Sequence, residues 1–207
     1  KAVQLHQPAS WKTQEAKELM ARYQPDVCMM AYVTLFVPQD VVDLPKKGTF
    51  QYHPSLFSRH RGPSSINWPI IGGETKTGLT IFWPNEGLDE GPILLQKEVE
   101  IAPNDTLGSL YFNRLFPMGV DAMMEALELV REGRAPAIPQ DDSQATYESW
   151  CGKKEAQIDW SKPASEIYNL IRGCDPQPGA WTTHKGTVTQ IYDSALSEGK
   201  GAPGEVI

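Results

Sequence analysis

Apolar positions recur along this chain with two periods, and the changes between them mark out its elements. In TQEAKELMARY (13–23), Ala16, Leu19, Met20 and Tyr23 fall on one helical face with charges between them, which predicts a helix. The run Asp26 to Val37 is almost wholly apolar, and its first half reads as a strand buried on both faces, ended by Pro38. A short strand, TFQYH (49–53), leads into the loop PSLFSRHRG (54–62) and a helix through SSINWPIIGG (64–73). Two more strands are expected at 77–83 and 93–101, separated by the loop PNEGLDEG. The longest helical pattern begins after Asp105 as cap and reaches Arg131, with Pro117 kinking or dividing it.

Strands alternating with helices predict an α/β fold whose sheet is at least partly parallel. We read residues 1–133 as this main domain, 134–145 (around APAIPQDDSQ) as a linker, and 146–207 as the beginning of a second, smaller domain. The second unit is expected to hold a helix at 163–173, PASEIYNLIRG, and strand-like sequence at 181–193. The first residues, KAVQLHQP, read as a sheet already under way. The chain is therefore expected to be a segment of a longer protein whose early strands lie outside it.

Composition narrows the picture only modestly. With 207 residues, 40% of them apolar and 22% charged, the chain can bury a sizeable core. No apolar stretch approaches the roughly 20 residues of a membrane span, and no export signal opens the chain, so a cytoplasmic location is expected. Cys28, Cys151 and Cys174 form no C-x-x-C pair and read as reduced thiols. The histidines (6, 53, 60 and 184) show no ligand spacing, which predicts no metal site. A net charge of -7, from 19 basic and 26 acidic side chains, weighs against nucleic acid as a partner.

The chemistry concentrates in two loops. Gln51 and His53 stand two apart on a strand and so share a face. Ligands of open α/β sheets bind outside the carboxyl ends of their strands. Asp89 follows 36 positions after His53, in the loop Gly87-Leu88-Asp89-Glu90-Gly91. A histidine, a carboxylate and an amide meeting at one sheet edge would suit polarisation and attack at a carbonyl. On spacing alone, His53 reads more readily as a structural histidine and Asp89 more readily as a turn former, and the function stays open. Arg59 and Arg61 read either as guides for an anionic group or as a solvated loop. Trp150, Trp160 and Trp181 read as packing residues between the two units, and Cys28 as a small core residue.

The run YHPSLFSRHRG, then INW, then GLDEG, resembles the signature of the folate-dependent formyltransferase superfamily. HPSL-x-x-RHRG-x-S-x-INW is most similar to the amino-terminal hydrolase/formyltransferase domain of 10-formyltetrahydrofolate dehydrogenases, and next to methionyl-tRNA formyltransferases. KKEAQIDWSKPASEIYNLIRG with PGAW resembles the opening of these enzymes' carboxyl-terminal domain.

The resemblance implies a Rossmann-like, mostly parallel sheet with helices on both faces, followed by the start of an OB-like barrel domain. It implies an enzyme that removes the formyl group of 10-formyltetrahydrofolate, passing it to water or a carrier thiol and leaving tetrahydrofolate, without a metal. His53 corresponds to the family's catalytic histidine and Asp89 to its aspartate. Gln51 stands where transferases carry asparagine and dehydrogenase-type domains an apolar residue. The folate would lie against Met30 and Leu35, Phe36 and Val37 on one side, and Asn85, Glu86, Gly87 and Leu88 on the other. A carrier or dehydrogenase domain would lie outside this chain. Methionyl-tRNA or sugar-amine formyl transfer, with tRNA as partner in the first case, and a catalytically silent folate-binding module are the alternatives.

Overall fold

The computed structural model describes residues 3–199 and 201–205. Helix α1 (Gln14–Tyr23) starts where the Thr13 hydroxyl accepts the Ala16 N–H, leaving one fewer orphan donor in its first turn. Strand β1 (Cys28–Met30) and the one-turn helix α2 (Gln39–Val42) follow, then strand β2 (Thr49–His53). Helix α3 (Asn67–Ile71) connects β2 to β3 (Lys76–Phe82), and β4 (Ile93–Glu100) completes the sheet.

The sheet order is β1-β2-β3-β4. β1 and β2 pair in parallel, the parallel component expected of an α/β unit, while β3 and β4 join antiparallel. β1 differs from its sequence reading in one respect. It is the edge strand here, three residues long, with Met29 exposed and its neighbours half-buried, so no layer covers both its faces within the described residues.

The helical run after residue 105 breaks into three pieces. Thr106, one residue later than expected, caps α4 (Leu107–Leu110) in a reciprocal pair with Ser109, while Asp105 braces the turn by accepting from Ala102 and Ser109. A π-helical turn (Tyr111–Leu115) then leads into α5 (Phe116–Arg131). Pro117 lies in the first turn of α5, so the division of the helical run falls beside this proline. Ala122, Met123, Ala126 and Val130 of α5 close over Phe50, Leu79, Ile81 and Leu94 of the sheet. Leu79 and Ile81 are 0% exposed, and each such burial stabilises by about 1.5–3 kcal/mol.

The opposite sheet face carries His53, Thr80 and Phe82, and the loop after β2 lies on it. Thr80 accepts the Phe57 N–H at 3.1 Å and donates to the Ser55 carbonyl at 2.7 Å. Gly78 makes this approach possible, because a Cβ there would sit 2.6 Å from the Leu56 side chain and 2.1 Å from the Lys97 carbonyl.

The second unit comprises α6 (Ala164–Gly173) and a hairpin of β5 (Ala180–His184) and β6 (Thr187–Ile191). Lys185 and Gly186 both take positive φ in its two-residue turn. The unit's cluster (Cys151, Ala156, Ile158, Ile171, Cys174, Ala180) packs with Trp68 and Ile71 around α3. Asn67 fixes the junction by donating to the Gly173 and Gln177 carbonyls at 2.9 and 3.1 Å. Trp160 and Trp181 join this cluster, but Trp150 is 74% exposed and packs nothing together. No helix among the described residues is long and apolar enough to cross a membrane.

Candidate active site

His53 ends β2, and its ring lies between two acceptors. Nε2 lies 3.0 Å from the backbone carbonyl of His60, which requires an N–H there. Nδ1 lies 3.5 Å from Asp89 Oδ2, at the outer limit of a hydrogen bond. Both side chains are buried, each at 9% exposure. Burial pulls the His53 pKa below its ordinary value of 6.5, while Asp89 and the His60 carbonyl pull it back up. With its Nε2 proton committed to a carbonyl, the ring can take up or release a proton at Nδ1, beside a carboxylate.

The route by which Asp89 arrives differs from the sequence expectation of two loops at one carboxyl edge. Because β3 runs antiparallel to β2, its last residue, Phe82, pairs with Gln51 and its chain end points away from His53. Residues 83–91 fold back over the sheet to return Asp89 to the histidine. Asp89 itself takes the left-handed conformation (φ 57), and Gly62 N–H donates to its Oδ2 at 2.8 Å. Gly91 serves close approach, since a Cβ there would lie 1.8 Å from the Trp83 carbonyl.

Gln51 is half-buried on the His53 face, at the row Met30–Gln51–Phe82 of the sheet. The two segments singled out for folate therefore leave the sheet from the positions flanking Gln51. In the first, Met30 and Val37 are half-buried and Leu35 and Phe36 exposed. In the second, Asn85, Glu86 and Leu88 are exposed and Gly87 half-buried, with Asn85 accepting the Gly87 N–H at 3.1 Å.

Arg61 is neither a guide for anions nor a solvated loop residue. Its side chain is 2% exposed and donates to Gln140 Oε1 (3.1 and 2.8 Å), Asp142 (2.7 Å) and Tyr147 (2.6 Å). Burying a guanidinium is costly unless its donors are matched, and these partners match it. Arg59 stays exposed and pairs with Glu74. His60 is held at both ring nitrogens, Nδ1 by Glu148 at 3.1 Å and Nε2 by Glu74 at 3.0 Å. Gln140, Asp142, Tyr147 and Glu148 escaped the sequence reading because they lie about 80 positions from their partners, beyond any local period. The stretch expected as a linker is tied down as well: Ile93 and Ile138 exchange both backbone hydrogen bonds.

The Formyl transferase family profile matches residues 2–127, and the Formyl transferase C-terminal domain profile matches 151–207. The chain belongs to the formyl transferase family. Among relatives, it is 44% identical over 197 residues to a human mitochondrial 10-formyltetrahydrofolate dehydrogenase, covering 94% of this chain and 21% of that protein. It is 37% identical over 205 residues to a methionyl-tRNA formyltransferase of Trichlorobacter lovleyi, covering 99% of this chain and 65% of that one. The chain thus spans about a fifth of the dehydrogenases it matches. Among solved structures, HypX from Aquifex aeolicus in complex with tetrahydrofolic acid superposes with a TM-score of 0.76 at 25% identity, over 92% of this chain and 34% of HypX. The formyl transferase fold is likewise shared with a sugar N-formyltransferase from Shewanella (TM-score 0.77, 20% identity, 91% and 77% covered).

Proposed function

We propose that this chain takes the formyl group from 10-formyltetrahydrofolate and passes it to water or to a carrier thiol, as part of a larger protein. The observation that carries this reading is the buried His53–Asp89 pair, 3.5 Å apart and assembled from two loops distant in sequence. The formyl carbon becomes tetrahedral as the acceptor adds. Negative charge grows on its oxygen, and the His53 ring, held beside Asp89, stabilises it. Asp89 orients that ring and takes the acceptor's proton, which N10 of the folate receives as its C–N bond breaks. With water as acceptor, the products are formate and tetrahydrofolate.

Gln51 supports the oxyanion with its amide, facing the same side as His53. The pterin lies between the segments that leave the sheet beside Gln51, Met30 with 35–37 and 85–88. Apolar walls grip a flat heterocycle while backbone groups read its edge. The solved relative that holds tetrahydrofolic acid supports the donor, and the 44% identity to dehydrogenases supports water or a thiol as acceptor.

Formyl transfer to methionyl-tRNA is the second reading, favoured by the match that runs through 99% of this chain. The test is tetrahydrofolate release from 10-formyltetrahydrofolate by the full-length protein, with and without a small thiol, beside formylation of charged initiator tRNA. Thiol-stimulated release that vanishes in Asp89→Asn and His53→Asn supports the proposal. Release only in the presence of charged tRNA replaces it with the second reading. Full release in both variants overturns the assigned roles.

A further inference from the structure

We infer that Gln140, clamped by the buried Arg61, is a positioning residue that holds Asp89 against His53. This rests on the reading of His53 and Asp89 as the working pair. Every hydrogen-bonding group of the Gln140 amide is committed. Its nitrogen donates to the backbone carbonyls of Asp89 (2.8 Å) and Gly91 (2.7 Å). Its oxygen accepts from Arg61 Nε (3.1 Å) and Nη2 (2.8 Å). Since a guanidinium only donates and a carbonyl only accepts, the amide cannot be flipped.

Asp89 needs such a hold. It is a non-glycine residue at φ 57, a conformation that persists only where surrounding structure enforces it. The dipeptide Arg61–Gly62 grips it from two directions. Gly62 N–H binds the carboxylate at 2.8 Å, and Arg61 acts through Gln140 on the carbonyl of the same residue. Arg61 is itself aligned by Asp142 and Tyr147, and Tyr147 donates to Glu90, the next residue after Asp89. The segment 140–147 thus forms a wall of the site and sets the geometry of a residue some 50 positions earlier.

The test uses Gln140→Glu and Gln140→Met in the full-length protein. The first keeps an acceptor for Arg61 but turns an oxygen toward two carbonyls; the second removes all four bonds at similar length. Gln140 is only half-buried, and the first variant retains the Arg61 contact should the second fail to fold. Two quantities are read: kcat and KM for tetrahydrofolate release, and the His53 titration midpoint by ring-proton NMR, with Asp89→Asn as reference. The titratable groups facing the His53 ring are Asp89 and His60.

The expected result is a kcat lower by roughly tenfold to a hundredfold, the size expected for misplacement near 1 Å, at unchanged KM. The His53 midpoint should move toward its value in Asp89→Asn, because the carboxylate has left the ring. A midpoint equal to wild type in the folded variants overturns the inference, whatever kcat does. If the wild type itself releases no tetrahydrofolate, the functional reading fails, while the midpoint still decides whether Gln140 positions Asp89.

Discussion

The Nε2–H of His53 donates to the backbone carbonyl of His60 at 3.0 Å, so the loop after β2 fixes the orientation of the ring that ends β2. The Ser55 hydroxyl, also donating to that carbonyl at 3.1 Å, ties the same turn from inside. The histidine is held in place by the chain seven residues on.

The first prediction concerns pH. Burial, the largest influence on His53, depresses its pKa in the folded protein below the 6.5 of the unfolded chain. Between those two values the unfolded state binds more proton, so stability there rises with pH. The contribution is fully present above about 6.5 and is lost as pH falls through the depressed folded value. Urea midpoints measured from pH 8 down to 5 should fall in the wild type and flatten in His53→Gln. Equal slopes in both proteins would refute this.

His60→Gln should destabilise the protein. Both ring nitrogens of His60 face carboxylates, and the ring is 9% exposed against 25% and 24% for Glu74 and Glu148. Removing it takes a partner from Glu148 and leaves Glu74 with Arg59 alone, a loss of about 2 kcal/mol for part-buried polar groups. In a chain of this size that lowers Tm by about 4–8 °C. A calorimetric Tm unchanged in the variant would show that water replaces the ring without penalty.

Gly91→Ala should cost both stability and activity. The added methyl would meet the Trp83 carbonyl at 1.8 Å, so the Asp89 loop must shift. Overpacking of this kind costs about 3 kcal/mol. Gly199→Ala, with nothing within 4 Å, is the matched control and should melt like wild type. Similar melting of the two variants would contradict the close approach.

The thiols should react in a fixed order. Cys28 is half-buried, whereas Cys151 and Cys174 are buried with their sulfurs 3.8 Å apart. A coloured disulfide reagent should therefore modify Cys28 first in the native protein, slowly because burial raises its pKa, and all three once the chain is unfolded. Fast native reaction at Cys151 or Cys174 would mean that the second unit opens readily from α3.

Much of this protein is legible in its sequence because the signals are local. The helical face of 13–23 and the strands around 49–53, 77–83 and 93–101 depend on neighbours within a turn or two, and the structure places elements there. His53, Asp89 and Gln51 could be singled out because their motifs are short and contiguous. What only the tertiary structure decides depends on contacts between distant segments. β3 turns antiparallel, so the Asp89 loop must fold back. Arg61, polar and seemingly destined for solvent, is buried because Gln140, Asp142 and Tyr147 arrive to satisfy its donors. Cys151 and Cys174 meet only because α6 packs beside them on α3. Periodicity reports which face of an element is apolar; it carries no information about which distant polar group will complete a buried hydrogen bond.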